Sequence, residues 1–374
     1  MSQAIIVDYC RSPFTPAGRG ELVKIRPDDL TASVVKALIE RTGIAASDVE
    51  DFKLGCAFPE GEQGLNLARL VWFIADLPHC TAATTLNRFC GSSMQIIHDA
   101  VGAIASNSGE VFICGGIESM SRVPMTGFNP APNSALYERF PDAYEGMGIT
   151  AENVAKKYKI SRKEQDEFAA ISQQKAAKAQ ADGKFTDEII PYGDVTQDGC
   201  IRAGTTAESL GGLNPAFDKN GTVTAGTSSP LTDGASAVLV TSEAYADKHN
   251  LPKLARIKSC AVVGCDPSIM GIGPVAATQK ALERAGLTID DIDIIELNEA
   301  FSSQSLACIK DLKLDVSKIN LDGGAVALGH PLGATGARIT GKAASLLKRE
   351  GKKYALATQC IGGGQGIATI LEAI

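Results

Sequence analysis

The sequence predicts an α/β fold built from two related halves. Strand-like apolar runs alternate with helical runs along most of the 374 residues, which is typical of α/β proteins with largely parallel sheets. An internal repeat indicates the two halves. The segment KALIERTG at 36–43 resembles KALERAG at 280–286, and the residues that follow, 44–54 and 287–297, align without a gap. Each copy predicts a helix, a glycine that ends it, a short loop and a strand.

The first half starts with an apolar run from Met1 that predicts a strand at once. After the first copy of the repeat, Cys90 opens a predicted helix with one apolar face. The segment EVFICGG at 110–116 follows as a strand that ends in glycines. The apolar face of the helix consists of Met94, Ile97, Val101 and Ile104.

The second half repeats this order. His330 precedes a predicted helix, with Pro331 near its first turn. The strand YALAT at 354–358 comes next and runs into Cys360. Cys90 and His330 are therefore expected at equivalent helix N-termini in the two halves. The apolar face of the second helix consists of Ile339, Ala343, Leu346 and Leu347.

Between the halves, at about 119–245, methionines and prolines mark an irregular stretch. Within it, Ser161 and Glu164 form a predicted capping box at the start of a polar helix. This stretch is interpreted as an insertion that lies over the core. The expected domains are an N-terminal half at 1–245, which includes the insertion, and a C-terminal half at 246–374.

Composition limits the function. A net charge of -7 argues against nucleic acid as a partner, and no apolar run is long enough to span a membrane. The N-terminus lacks the pattern of a signal peptide. The ten cysteines contain no CxxC pair and several lie in apolar runs, which favours a reducing, cytoplasmic location. No cluster of residues with metal-ligand spacing is present in the sequence, so no metal is expected.

Three residues in glycine-rich surroundings indicate thiol chemistry: Cys90, His330 and Cys360. A thiolate is a good nucleophile and leaving group, and a second thiol of matched acidity can move a proton on carbon beside a thioester carbonyl. Backbone N–H groups and the helix dipole are expected to favour the thiolate of Cys90. The alternative for Cys90 is a buried structural thiol, which we prefer for Cys10, Cys80, Cys114, Cys260 and Cys308.

At these residues the chain resembles the thiolase family, from end to end. The segments GCDPSIM at 264–270 and CIKDL at 308–312 resemble the branch found in bacterial fatty acid oxidation complexes. The resemblance implies the thiolase fold, with two βαβαβαββ halves that form a layered αβαβα core and carry an inserted loop domain. The matching segments are VDYCRSP at 7–13, NRFCGSSM at 87–94, TAGTSS at 224–229, NEAF at 298–301, GGA at 323–325, GHPLG at 329–333 and CIGGG at 360–364.

The resemblance also implies an activity: CoA-dependent cleavage of a 3-ketoacyl-CoA into acetyl-CoA and a shortened acyl-CoA. CoA is then a co-substrate, and no cofactor is bound permanently. Cys90 is the implied nucleophile that carries the acyl group, His330 its base, and Cys360 the acid/base at the α-carbon. Asn298 would hold a water that polarises a thioester oxygen, although a helix N-cap is its simpler role. The N–H groups of Cys90 and Gly362 would form an oxyanion hole.

The same resemblance assigns contacts with CoA and the acyl chain. Gly146 stands where short-chain biosynthetic members carry a histidine, so we expect longer acyl chains to be accepted. Asn214 stands where relatives commonly carry Arg or Lys, which would weaken one CoA contact. The implied contact residues are Met147, Arg202, Ser209, Phe217 and Ser229.

Other functions stay open at this point. The same residues can run the reverse condensation, so an acetyl-CoA acetyltransferase that makes acetoacetyl-CoA is the nearest alternative. A ketoacyl synthase is disfavoured, because its site lacks the second cysteine loop. A non-catalytic acyl-CoA or lipid-binding member would normally have lost a catalytic residue. The family further implies a homodimer or a dimer of dimers, and an α subunit of a fatty acid oxidation complex as a partner.

Overall fold

A computed structural model describes residues 3–374; Met1 and Ser2, the first residues of the predicted N-terminal strand, lie outside it. The strands in this range are β1 (Ala4–Arg11), β2 (Thr15–Pro16), β3 (Asp51–Cys56), β4 (Ala82–Leu86), β5 (Val111–Ser119), β6 (Thr232–Ser242), β7 (Ala255–Gly264), β8 (Ile294–Leu297), β9 (Tyr354–Ile361) and β10 (Gln365–Glu372). The helices are α1 (Pro27–Thr42), α2 (Leu67–Ile74), α3 (Ser92–Ala105), α4 (Ser134–Arg139), α5 (Met147–Tyr158), α6 (Arg162–Ala181), α7 (Ala207–Gly211), α8 (Glu243–Lys248), α9 (Gly273–Ala285), α10 (Ser302–Leu312), α11 (Ala325–Leu328) and α12 (Leu332–Glu350).

The described strands form one mixed sheet in the order β4-β3-β5-β6-β1-β7-β10-β9-β8, with β2 beside β6. The prediction of largely parallel sheets is wrong. Only β3–β4, β3–β5 and β8–β9 are parallel among residues 3–374. The last strand of each half, β6 or β10, instead runs antiparallel to both of its neighbours in the sheet. In the second half the cause is local, because β9 turns directly into β10 and such a hairpin can only be antiparallel.

The predicted layered α/β architecture is confirmed. Helices α1 and α2 pack on the outer face of the first-half strands, and α9 and α10 cover the outer face of the second-half strands. Helices α3 and α12 lie between the two sets of strands and share one hydrophobic core with both. Because strand side chains alternate between faces, Ile5 of β1 faces the outer core while Ile6 faces the central one.

The internal repeat is confirmed by matching local structure. Helix α1 ends at Gly43 and α9 ends at Gly286, and both glycines adopt the left-handed conformation, with φ of 68° and 67°. A short 3₁₀ helix follows each glycine, at Ala46–Asp48 and Ile289–Asp291. Strands β3 and β8 then begin at equivalent residues, Asp51 and Ile294.

The two central helices also begin in equivalent ways. Cys90 lies two residues before the first residue of α3, and His330 lies two residues before the first residue of α12. The residue ahead of each has a positive φ, 44° at Phe89 and 100° at Gly329, so both turns are sharp. Helix α12 is buried on nearly its whole surface rather than on the one predicted face, because it lies between the strands of the two halves.

The insertion is shorter than predicted. Residues 232–242, which lie inside the predicted 119–245 stretch, form β6 of the first-half sheet and are buried at every position. The capping box of Ser161 and Glu164 at the start of α6 is confirmed. A buried guanidinium ties the insertion to the core: Arg11 of β1 donates to both oxygens of Asp198, at 2.7 and 2.8 Å.

The stability of this fold should depend on the protonation of His98, whose Nε2 lies 2.8 Å from the Thr369 hydroxyl. Burial lowers the pKa of His98 from 6.5 to about 3, and Arg88 and Arg284 act in the same direction. Between these two pH values the unfolded chain binds a proton that the folded chain excludes. Acidification from pH 6.5 should therefore cost up to about 1.4 kcal/mol of unfolding free energy per pH unit.

Urea unfolding of the wild-type protein and His98→Gln at several pH values tests this expectation. Glutamine keeps a hydrogen-bonding partner for Thr369 but does not titrate, so the variant should lose stability less steeply on acidification. Parallel pH dependences of the two proteins would contradict it.

Candidate active site

A cavity of about 420 Å³ opens where the two halves and the insertion meet. Six of the predicted site residues line it, and most of the other lining side chains are apolar. A pocket of this kind suits an acyl chain beside a few polar groups. The predicted residues on its wall are Cys90, Met147, Phe217, Ser229, His330 and Cys360.

The turn that carries Cys90 is held by tight packing. Phe89 has a positive φ, an uncommon conformation for a bulky residue that is found at functional sites. A Cβ at Gly91 would lie 2.5 Å from Cδ1 of Ile361, so any larger residue here would push that side chain aside. The side-chain amide of Gln359 donates to the carbonyl oxygen of Cys90. The turn is thus fixed against β9, the strand that carries Cys360.

Burial opposes the expected preference for the Cys90 thiolate. Burial raises the pKa of Cys90 to about 12, and the negative charge of Glu118 acts in the same direction. The backbone N–H of Gly362 lowers this pKa. Burial outweighs it because a charged sulfur loses its hydration in an apolar pocket.

His330 is oriented by its own helix. Its Nδ1 lies 2.6 Å from the hydroxyl of Thr335, and that hydroxyl donates to the carbonyl of Pro331, 3.0 Å away. The Thr335 oxygen therefore accepts from an Nδ1–H, which leaves Nε2 as the basic nitrogen. Burial lowers the pKa of His330 to about 3, so the ring is neutral at pH 7. Asn298 is fully buried, with its Nδ2 at 3.4 Å from Nε2.

Cys360 lies near the end of β9 and is buried. Burial is the main cause that raises its pKa, and the proximity of Cys90 adds to it, because two thiolates in one cavity repel each other. The chain then turns through Gly363 and Gly364, with φ of 77° and 80°. At Gly364 a Cβ would lie 2.3 Å from the carbonyl oxygen of Cys265, so only glycine fits. Because its pKa is raised, the thiol of Cys360 stays protonated.

The predicted acyl and CoA contacts divide into two groups. Met147, Phe217 and Ser229 line the cavity, and the Phe217 ring packs edge to face on Phe301 at 5.9 Å. Arg202 and Ser209 lie outside it. Arg202 is exposed and borders a smaller cavity that shares Ser228 and Pro230 with the main one. Ser209 is exposed on α7, where its hydroxyl bonds the carbonyl of Thr206.

Sequence reasoning missed Glu118 as a residue that supports this site. The carboxylate is buried and accepts the backbone N–H groups of Ala57 and Gly333 at 2.8 and 2.9 Å. It also accepts from the backbone of Phe58 and the amide of Gln63. Burial raises its pKa, although all four donors act in the opposite direction. A lone glutamate in IES at 117–119 gives no sequence signal of these long-range contacts.

Neither a metal site nor a membrane helix is apparent in the described chain. Across residues 3–374, no group of three or more His, Cys, Asp or Glu side chains is arranged to hold a metal ion. Over the same range, no helix is both long and apolar enough to cross a membrane.

Two equivalent helix starts present a cysteine and a histidine, and a second cysteine lies in the same apolar cavity. These are the groups that an acyltransferase forming a thioester would need. The comparison with known families agrees. The N-terminal domain of thiolases matches residues 4–244, and the C-terminal domain of thiolases matches residues 251–373. The chain belongs to the thiolase family.

Similar proteins match over the whole chain. A 3-ketoacyl-CoA thiolase of Aliivibrio fischeri is 50% identical and one of Bacillus subtilis is 46% identical, each with 100% of both chains covered. The crystal structure of human mitochondrial 3-ketoacyl-CoA thiolase superposes with a TM-score of 0.92 at 41% identity, covering 100% of this chain and 99% of the human one. The acetyl-CoA acetyltransferase of Bacillus anthracis gives the same TM-score at 38% identity, with the same coverage. The predicted family and fold are confirmed.

Proposed function

We propose that this protein is a 3-ketoacyl-CoA thiolase that transfers an acyl group to CoA through a thioester on Cys90. The observation that carries the proposal is the convergence of Cys90, His330 and Cys360 on one apolar cavity. The names of the similar full-length proteins support this substrate class. A solved human relative in complex with CoA supports CoA as co-substrate.

In the degradative direction the sulfur of Cys90 attacks the 3-keto carbon while its proton moves to Nε2 of His330. This concerted transfer follows from the neutral state that burial gives both groups. The N–H groups of Gly362 and Cys90 stabilise one oxyanion, and Asn298 with His330 stabilises the other thioester oxygen through a water.

The bond between C2 and C3 then breaks, and its electron pair forms the enolate of acetyl-CoA. The thiol of Cys360 protonates that enolate at C2 and becomes a thiolate. CoA next attacks the acyl group on Cys90, whose sulfur leaves and takes the proton held by His330. The thiolate of Cys360 takes the proton of the CoA thiol as the CoA sulfur attacks, so both cysteines are thiols again, His330 is neutral and the cycle closes.

The predicted contact residues inside the cavity and those outside it are assigned to different parts of CoA. Met147, Phe217 and Ser229 would contact the acyl chain and pantetheine, because they line the site. Arg202 and Ser209 would meet the nucleotide end of CoA at the surface, where a guanidinium suits phosphate.

Thiolysis of 3-ketoacyl-CoAs of four to sixteen carbons tests the function, with acetyl-CoA as the measured product. Activity should extend beyond four carbons because Gly146 leaves the cavity wall open: a Cβ there would meet nothing within 4 Å. The backbone of Gly146 is extended, a conformation that histidine adopts readily. Gly146→His should lower the rate on long chains about tenfold relative to the four-carbon substrate. Wild-type activity confined to four carbons would favour an acetyl-CoA acetyltransferase. No activity at any chain length would favour a binding protein.

A homodimer is proposed from the edge of the sheet. Strand β4 is an edge strand of the described sheet, and apolar side chains near it are exposed, including Leu65 (88%), Phe73 (43%) and Ile74 (44%). A second copy related by a two-fold axis would pair β4 with itself and cover this patch. Sedimentation velocity measures the mass; a monomer would contradict the proposal and a tetramer would indicate a dimer of dimers.

Two further assignments belong to this proposal. The segments at 264–270 and 308–312 support an α subunit of a fatty acid oxidation complex as partner, which copurification from a native source tests. A cytoplasmic location is supported by the ten cysteines, all of which are free thiols. Fractionation of the source cells tests that location.

A further inference from the structure

A buried glutamine connects the two cysteines of the site. Gln359, which is 0% exposed, precedes Cys360 on β9, and its Nε2 donates to the carbonyl oxygen of Cys90. Its Oε1 is buried and has no hydrogen-bond partner among residues 3–374. The amide therefore makes a single directed contact, and that contact reaches the residue expected to be the nucleophile.

A second hydrogen bond connects the segments that contain Cys90 and Cys360. Arg88, two residues before Cys90, donates from Nη1 to Oε1 of Gln365 at 2.6 Å. Gln365 begins β10 directly after the glycine turn that follows Cys360. Two hydrogen bonds therefore connect the segment around Cys90 to the segment around Cys360. One is donated by Gln359 and the other by Arg88.

These bonds join two separate halves of the fold. Cys90 belongs to the first half and Cys360 to the second, and among the strands of residues 3–374 only two residue pairs connect the halves, between β1 and β7. The two thiols must nevertheless act on adjacent carbons of one substrate. A misplacement of about 1 Å between reacting groups can lower a rate on the order of 100-fold.

We propose that Gln359 is a positioning residue that sets the separation of the Cys90 and Cys360 thiols for carbon–carbon cleavage. The inference rests on the proposed function and deepens it. Acyl exchange between acetyl-CoA and CoA uses Cys90 and His330 but moves no proton on carbon. Thiolysis also needs Cys360. A residue that sets the distance between the two thiols should therefore affect thiolysis far more than exchange.

The test compares both rates in Gln359→Met, which keeps the length of the side chain and removes the donor. Thiolysis kcat is expected to fall on the order of 10- to 100-fold. Exchange of labelled CoA into acetyl-CoA is expected to stay within about threefold, because no group of that half-reaction is changed. Solvent deuterium uptake into the methyl group of acetyl-CoA, which reports Cys360, should fall together with thiolysis.

Arg88→Met provides a second variant in case Gln359→Met fails to fold. Arg88 is half-buried, and its replacement removes the hydrogen bond to Gln365. Thiolysis should again fall far more than exchange. Gln165→Met is the matched control, since Gln165 is also a buried glutamine with an unpartnered Oε1 and bonds Thr222 instead. In this control the ratio of the two rates should match that of the wild-type protein.

Equal loss of both rates in the Gln359 and Arg88 variants, or no loss, would overturn the positioning role. Exchange without thiolysis in the wild-type protein would overturn the proposed function itself, and with it this inference.

Discussion

Replacing Cys90 with alanine is expected to lower thiolysis by at least about 10⁴-fold, because the variant has no atom that can hold the acyl group. Cys90 is the half-buried cysteine at the start of the central helix α3, in a turn where alanine fits without strain beyond that of Phe89. The fold should therefore persist. Intact-protein mass spectrometry after mixing with acetyl-CoA should show an acetyl adduct on the wild-type protein and none on Cys90→Ala.

Cys360→Ala is the matched control for this experiment, since it removes the other thiol of the same cavity. This variant should still take up the acetyl group on Cys90, because transfer from acetyl-CoA moves no proton at the α-carbon. Thiolysis should nevertheless be lost. An acetyl group mapped to Cys360 in the wild-type protein would reverse the two assigned roles.

Local chemistry explains why much of this site could be predicted from sequence. The repeat correctly predicted a helix, a glycine and a strand in each half. A left-handed glycine ends a helix at a fixed place, as Gly43 and Gly286 do. The same regularity placed Cys90 and His330 at equivalent helix starts. Short motifs carry such positions because neighbouring residues alone determine them.

Long-range geometry explains what could not be predicted. Strand direction was wrong because β6 pairs with β1 and β5, both more than 100 residues before it, and its own sequence does not specify their orientation. The rise in the pKa of Cys90 was not predicted, because burial depends on side chains from distant segments. The contacts of Thr335 and Gln359 were missed for two different reasons. Thr335 has a signal in its four-residue spacing from Pro331, whereas Gln359 has none.

The site depends on how the two halves are held together, and Glu118 lies at that junction. One of its oxygens accepts the N–H of Ala57 from the loop after β3 and the N–H of Gly333, three residues after His330. The other accepts from Phe58 and Gln63. A single carboxylate thus links the start of α12, next to His330, to the half that contains Cys90.

Glu118→Ala is expected to lower the free energy of unfolding by at least about 4 kcal/mol, because four buried donors lose their acceptor at once. This is a large part of the 5–15 kcal/mol of an average domain, so urea unfolding should show a marked fall in the midpoint. Glu118→Gln should also destabilise the protein, since its NH₂ group would face N–H donors. At temperatures where Glu118→Gln remains folded, thiolysis should fall as well, because the start of α12 and His330 shift together.

Glu50→Gln is the control for these variants. Glu50 also accepts a backbone N–H, that of Glu110, but it is exposed, and water can replace the lost bond. Its loss should cost less than about 1 kcal/mol and leave thiolysis unchanged. A Glu118→Ala protein as stable as Glu50→Gln would mean that water satisfies the four donors, and that other contacts, such as the packing of α3 against α12, are enough to hold the halves together.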